Sequence, residues 1–109
     1  MAEILPYLQK MVDRFKDPAL QASLKGYTKN LYFKFTDTNE DYVIKIVDGT
    51  TATIVKEVPE KPDMTVTTTT EVLSGIMDKK VNAMAAYMQR KIQTKGSMED
   101  LMKLQKLML

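Results

Sequence analysis

Few side chains in this sequence could do chemistry. Cys and His are both absent, which removes disulfides, thiolate metal sites, thiol nucleophiles, the commonest metal ligand and the commonest base near neutral pH. Acid–base work or cation binding would fall to paired carboxylates, Asp13 with Asp17 or Glu99 with Asp100. Each pair lies at a helix start or on a polar helix face, where capping or solvation accounts for it. There is no phosphate loop, Gly-rich dinucleotide turn, nucleophile elbow or metal-ligand spacing. No catalytic residue, metal ligand or cofactor is therefore assigned, and the chain reads as a non-enzyme.

The pattern that does point to a site is apolar. Of nine Met, seven lie between Met64 and Met108. Met is unbranched and adaptable, and it recurs on promiscuous apolar binding surfaces. On a wheel of about 100° per residue, Leu104, Met108, Leu101, Gln105, Met98, Leu109 and Met102 form one continuous arc of the last segment. Glu99, Asp100, Lys103 and Lys106 take the other side, and only Leu107 is misplaced. Gln105 sits inside the apolar arc, where an unpartnered amide costs about 1 to 3 kcal/mol. It should therefore meet a backbone group, water or a ligand head group. Candidate ligand-binding residues are Met98, Leu101, Met102, Gln105 and Met108 on this helix, with Leu73, Ile76, Met77, Met84 and Met88 opposite.

These residues must be positioned by helices and strands in a definite order. Ile4, Leu8, Met11, Val12 and Phe15 recur at helical spacing, with Pro6 early enough for a first turn. Asp17-Pro18 caps and starts a short second helix that ends at Gly26. Leu31 to Thr36, Tyr42 to Val47 and Thr51 to Val55 read as strands. Asp48-Gly49 signals a two-residue hairpin, because a type I′ turn needs positive φ at both positions. Met64 to Thr69 alternates as a fourth strand. Thr68 and Glu71 have capping-box spacing ahead of Val72, Leu73, Ile76 and Met77. Asn82 caps a helix carrying Met84, Tyr87 and Met88, Arg90 to Lys95 suits a fifth strand, and Ser97 caps the final helix with Asp100 in its third position. The order predicts an α+β fold, a five-stranded mainly antiparallel sheet covered on one face by helices.

Length and charge set the remaining bounds. The 109 residues suit one domain, 1–109. With 44% hydrophobic and 28% charged residues the chain should fold. No apolar run approaches the ~18 residues of a membrane span and no signal-peptide order is seen, so the default address is cytoplasmic. A net charge of +2 suits docking on an anionic membrane surface and falls short of a nucleic-acid patch. Aromatic residues interleaved with Lys25, Lys29 and Lys34 suggest an RNA-stacking sheet at first sight. Alternation places Leu31, Phe33 and Phe35 on one face and Tyr32 and Lys34 on the other, which is an inner and an outer face instead.

The segment from Pro62-Asp63 through Leu73, Gly75, Asn82, Ala86, Met88, Gln89, Lys91 and Ile92 to Lys95-Gly96, Met98, Met102, Lys103, Leu104 and Gln105 resembles the sterol carrier protein family, the non-specific lipid-transfer domains. The resemblance spans nearly the whole chain. It implies an apolar tunnel between sheet and helices that takes fatty acids, fatty acyl-CoA or sterols. Arg90 departs from the family's usual glycine, and the chain ends Leu107-Met108-Leu109 and not in a Ser-Lys-Leu signal, so a peroxisomal address does not carry over. An empty tunnel of roughly 300 to 1,000 Å³ would cost about 7 to 24 kcal/mol, so lipid or collapsing Met side chains should fill it. The expected function is binding and transfer of a lipid; the alternative is a non-catalytic interaction or regulatory module with the same fold and a packed core.

Overall fold

A computed structural model describes residues 3–108, the side chains of 107 and 108 excepted. Helix α1, Leu5–Asp13, carries Pro6 in its first turn and runs into a 3₁₀ turn, Arg14–Lys16. Asp17 then caps α2, Pro18–Ser23, accepting the Ala19 N–H at 2.9 Å. Strands β1, Lys29–Phe35, β2, Glu40–Val47, and β3, Thr51–Val55, form an antiparallel meander. Strand β4, Met64–Thr68, returns parallel to β1, and β5, Gln93–Lys95, pairs antiparallel to β4, giving the order β3-β2-β1-β4-β5. Between β4 and β5 come α3, Thr70–Met77, and α4, Ala83–Met88; α5, Met98–Met108, is last. The sheet is mostly antiparallel with one parallel pair.

The strands owe their positions to two-residue alternation. Register stacks Leu31 beside Ile44 and Met64, and Phe33 beside Tyr42 and Val66, all on the covered face. Phe35 lies edge-on to Tyr42, ring centres 6.3 Å apart. Over this face close Ile4, Leu8 and Met11 of the first helical segment, Phe15, Leu24, Leu73 and Ile76, Ala86 and Leu104. On the outer face Tyr32 donates to Asp41 at 2.5 Å, and Lys45 pairs with Glu57 at 3.2 Å.

Several predicted boundaries move: β1 and β2 each start two residues earlier, β1 and β4 each end one residue earlier, and α2 ends at Ser23. The cap of α3 is Thr69, one residue after the predicted Thr68; its hydroxyl accepts the Val72 N–H at 3.1 Å. Thr68 is still strand: its carbonyl accepts the Thr36 N–H and its hydroxyl donates to the Lys91 carbonyl at 2.9 Å. The fifth strand loses its first three residues because Arg90 and Lys91 are spent closing α4.

The Asp48-Gly49 turn has positive φ at both residues, 58° and 67°, and Thr50 N–H closes it onto the Val47 carbonyl at 3.1 Å. Val47 pairs with Thr51, so the loop is one residue longer than predicted. Gly49 also donates to the Tyr27 carbonyl at 2.8 Å, and a Cβ there would lie 2.0 Å from the Leu24 carbonyl oxygen. Gly26 shares the positive φ, 79°, but faces open space. Gly26→Ala should therefore cost only the left-handed strain of about 1 to 2 kcal/mol, whereas Gly49→Ala adds a backbone clash and should cost about 3 kcal/mol or more. Urea titration of both variants checks the difference; equal losses would mean the turn shifts freely away from Leu24.

Candidate functional site

The ends of α5 are held differently. At its start Ser97 Oγ accepts the Asp100 N–H at 3.1 Å, the predicted capping geometry. Asp100, however, does not sit on a solvated polar face. Its side chain is 3% exposed, accepts the Tyr27 hydroxyl at 2.6 Å and has the Lys29 ammonium at 3.5 Å. Lys103, one turn on, lies 4.6 Å over the Tyr27 ring. Wheel geometry places Asp100 on the polar side, but only about 40° from Leu104, and where the first turn meets Tyr27 and Lys29 a buried, partnered carboxylate replaces a hydrated one. Four residues on, Leu104 enters the core.

This pinning leaves a gap beside α5. Ala83, Met84 and Tyr87 of α4, Ile92 and Thr94 at the short edge strand, and Met98, Leu101, Met102, Leu104 and Gln105 of α5 enclose a half-open cleft of about 320 Å³. Ile92 and Leu104 are buried at its floor, while Met84, Tyr87, Met98, Met102 and Gln105 are exposed at its rim. The lining holds no carboxylate, ammonium, guanidinium, thiol or imidazole. Its polar groups are the Thr94 and Tyr87 hydroxyls and the Gln105 amide, which reaches water at the rim.

Of the predicted site residues the structure brings together Met84, Met98, Leu101, Met102 and Gln105. Leu73 and Ile76 fill the core, and Met77 packs against it, without lining the cleft. They are drawn in because Asp37, in the β1–β2 loop, holds α3 on the sheet, accepting both the Thr70 N–H at 3.0 Å and the Thr70 hydroxyl at 2.5 Å. Met88 is 76% exposed and outside the cleft. With Ala83 as origin, Tyr87 and Met84 fall at about 40° and 100°, and Met88 at about 140°, past the cleft. The Met108 side chain is outside the described residues. Ala83, Tyr87, Ile92, Thr94 and Leu104 line the cleft without having been expected there. Helical spacing from Met84 signals Tyr87, and alternation on either side of Gln93 signals Ile92 and Thr94.

Both helices flanking this region end alike. After α3, Lys79 N–H donates to Ile76 O at 3.0 Å and Lys80 N–H to Gly75 O at 2.8 Å; after α4, Arg90 N–H donates to Tyr87 O at 3.1 Å and Lys91 N–H to Ala86 O at 2.8 Å. This closing pair requires a left-handed residue, usually glycine. Lys79 and Arg90 take it instead, at φ 63° and 61°. Arg90 thus occupies a glycine's conformation, which explains why a glycine is the usual residue of the resembled family there.

The sequence pattern of the SCP-2 sterol transfer family matches residues 8–109. The chain belongs to that family. Among solved structures, sterol carrier protein domain 2 of Helicoverpa armigera is 20% identical, with 96% of this chain and 84% of that one covered and a TM-score of 0.69. Palmitated SCP2L2 of Aedes aegypti is 20% identical, with 93% of each chain covered and a TM-score of 0.60. A stereoselective inverting sec-alkylsulfatase from Pseudomonas sp. is 22% identical over 81% of this chain, TM-score 0.67, but the chain spans only 13% of that enzyme's length. At these identities the likeness shows a shared SCP-2 fold. No curated protein sequence matches. Among the described residues no helix is long and apolar enough to cross a membrane.

Two predictions concern the frame of the cleft. Burial pushes the Asp100 carboxyl up, but Tyr27, Ser97 and Lys29 outweigh it and hold the group below its ordinary 3.8. Its stabilisation is thus fully present above that value and is lost as pH falls through the lower folded value. Tyr27→Phe should cost about 1.5 to 3 kcal/mol at pH 7, the worth of a hydrogen bond to a charged group, and less as urea titrations move below pH ~4. An unchanged cost at acid pH would show that the hydroxyl does not serve the ionised carboxylate. Secondly, Arg90→Gly and Lys79→Gly should each stabilise by up to about 1 kcal/mol, strain relief exceeding the entropy of the added glycine; a fall in melting temperature would refute the assignment of strain.

Proposed function

We propose that the chain binds one long-chain lipid, a fatty acid, fatty acyl-CoA or sterol-like molecule, in the α4–β5–α5 cleft, and carries it between membranes without transforming it. The observation that carries this reading is the cleft itself: ten lining residues with apolar walls, three neutral polar groups and no charge. The lining holds none of the carboxylates, imidazoles, thiols or ammonium groups that most often carry acid–base or metal chemistry. A long apolar chain is what such a surface binds, at ~0.8 kcal/mol per methylene removed from water against ~1 kcal/mol for a neutral hydrogen bond. The volume lies at the low end of the roughly 300 to 1,000 Å³ of small-molecule sites. The rim methionines supply the remaining cover by swinging over the bound chain, turning cleft into tunnel. Membership of the SCP-2 sterol transfer family and the palmitated form of the Aedes relative support the same class of ligand.

Displacement of a fluorescent fatty acid, run across chain lengths and head groups, tests the proposal. Affinity should rise with chain length and change little with head group. Gln105→Leu should alter it by less than about tenfold, since one hydrogen bond is worth roughly a kcal/mol and tenfold is 1.4. Met102→Glu, a substitution at an exposed rim position that leaves folding intact, should weaken it by on the order of tenfold or more by placing a charge against the chain. No displacement by any long-chain lipid would favour a packed interaction module.

A further inference from the structure

The surface around the mouth of the cleft is the least expected part of the molecule for a protein surrounded only by water. Met84, Tyr87, Met88, Met98 and Met102 are all exposed, Met88 and Met98 by 76% and 70%. Elsewhere among the described residues large exposed apolar side chains are single and scattered, Leu5, Val47 and Val58. The first helix does not compete, because Ile4, Leu8 and Met11 are spent on the core.

The charge around these side chains is one-sided. Between Asp78 and Glu99 the chain carries five basic residues and no acid. Lys95 alternates with the cleft-lining Thr94 and so faces the other side of the sheet. The remaining four, Lys79, Lys80, Arg90 and Lys91, are exposed in pairs at the C-terminal ends of α3 and α4, so that they bracket α4 and its methionines. Of the nearest acids in sequence, Asp78 accepts the Tyr7 hydroxyl at 2.6 Å and keeps its charge, while Glu99 is matched by Lys103 at 3.6 Å, so the cations still outnumber the acids. A basic residue near a helix C-terminus is favourable to the helix itself, and that accounts for Lys80 and Lys91. It does not account for Lys79 and Arg90, which hold left-handed positions where glycine is the easier residue.

We infer that this face, α4 with its two flanking basic pairs and the exposed start of α5, docks on an anionic lipid bilayer with the cleft opening towards it. The inference rests on the lipid-binding reading for its purpose: a chain moving from bilayer to cleft along this face never crosses water. Unbranched methionines and one tyrosine suit the disordered headgroup boundary, and the four cations suit its negative potential. A second copy of this chain is a poorer occupant, since a two-fold face would set these cations against their own kind.

Vesicle flotation decides the matter. The protein should bind vesicles of phosphatidylcholine with phosphatidylserine, bind phosphatidylcholine alone at least about 25-fold more weakly, and lose affinity on the order of tenfold as salt is raised to 0.5 M. The double variant Lys79→Gly/Arg90→Gly should bind the anionic vesicles about 25-fold more weakly, at about fivefold per basic residue. Both substitutions should relieve strain, and the melting temperature of the double variant, expected at or above wild type, separates that loss from unfolding. Lys80→Gln/Lys91→Gln should weaken binding by a similar factor, and Met88→Glu at least as far. Displacement of the fluorescent fatty acid in vesicle-free solution should be unchanged in both double variants. Equal binding to neutral and anionic vesicles overturns the inference, as does wild-type affinity in the double variants, loss of their fatty-acid binding, or a wild type that floats with no vesicle, dimeric or not. A wild type that floats on anionic vesicles yet displaces no fatty acid upholds the docking face and sinks the lipid-cleft reading alone.

Discussion

A carboxylate three residues into the last helix has been taken out of water, and most of what is distinctive about the molecule depends on how it is satisfied. Asp100 is surrounded by the Tyr27 hydroxyl, the Ser97 cap and the Lys29 ammonium. A buried ion missing one of these partners would be strongly destabilising, so the helix has one acceptable position at its first turn. From that fixed point Leu104 reaches the core one turn later, and on the flank facing α4 Leu101 is only partly buried against the core while Met98, Met102 and Gln105 stay exposed. The cleft is thus the space remaining once a polar anchor, and not apolar complementarity, has set the helix.

Helix α3 is anchored by aspartates as well. Asp37 holds the start of α3 by both carboxylate oxygens, and the Tyr7 hydroxyl reaches Asp78 at the other end. One aspartate thus ties α3 to the β1–β2 loop and the other ties it to α1, and its Leu73 and Ile76 are consumed as core. Helix α4 has no such tether; its Asn82 side chain serves only its own first turn, and Ala86 is its one buried side chain. A six-residue helix so lightly held belongs to the low end of local stability, which suits a wall that must admit an apolar chain.

The parts of the fold carried by periodicity were legible in the sequence. Strand alternation, the Asp17 and Asn82 caps, the Asp48-Gly49 turn and the order of elements all follow from residue types a few positions apart. The same holds for half of the site, because Met98, Leu101, Met102 and Gln105 share an arc that the wheel reveals. What could not be read was which apolar stripe would be consumed as core. Leu73 and Ile76 have the same local signature as Met84, and what separates them is tertiary: Asp37 and Tyr7 hold the two ends of α3, and among the described residues no such bond holds α4. Asp100 shows the converse: on a wheel it is one more polar residue, and its burial depends on a tyrosine and a lysine more than 70 residues away in sequence.

Those separations bear on how the chain acquires its structure. Tyr27 and Asp100 are 73 positions apart and Tyr7 and Asp78 are 71 apart, while β1 cannot find its parallel neighbour until Met64 has been made. The three-stranded meander is local and can form early on a ribosome-bound chain. The first helical segment, made earlier, can cover part of its apolar face, but the share closed by Leu73, Ile76, Ala86 and Leu104 stays open until those residues arrive, and the Tyr27 hydroxyl lacks its carboxylate partner until Asp100 emerges. Long-range closure of this kind is slow and leaves apolar sheet surface unguarded meanwhile. The nascent domain is therefore at its most aggregation-prone between completion of the meander and the arrival of β4 and α3, and a chaperone or the ribosome surface is the natural shelter for the meander during that interval.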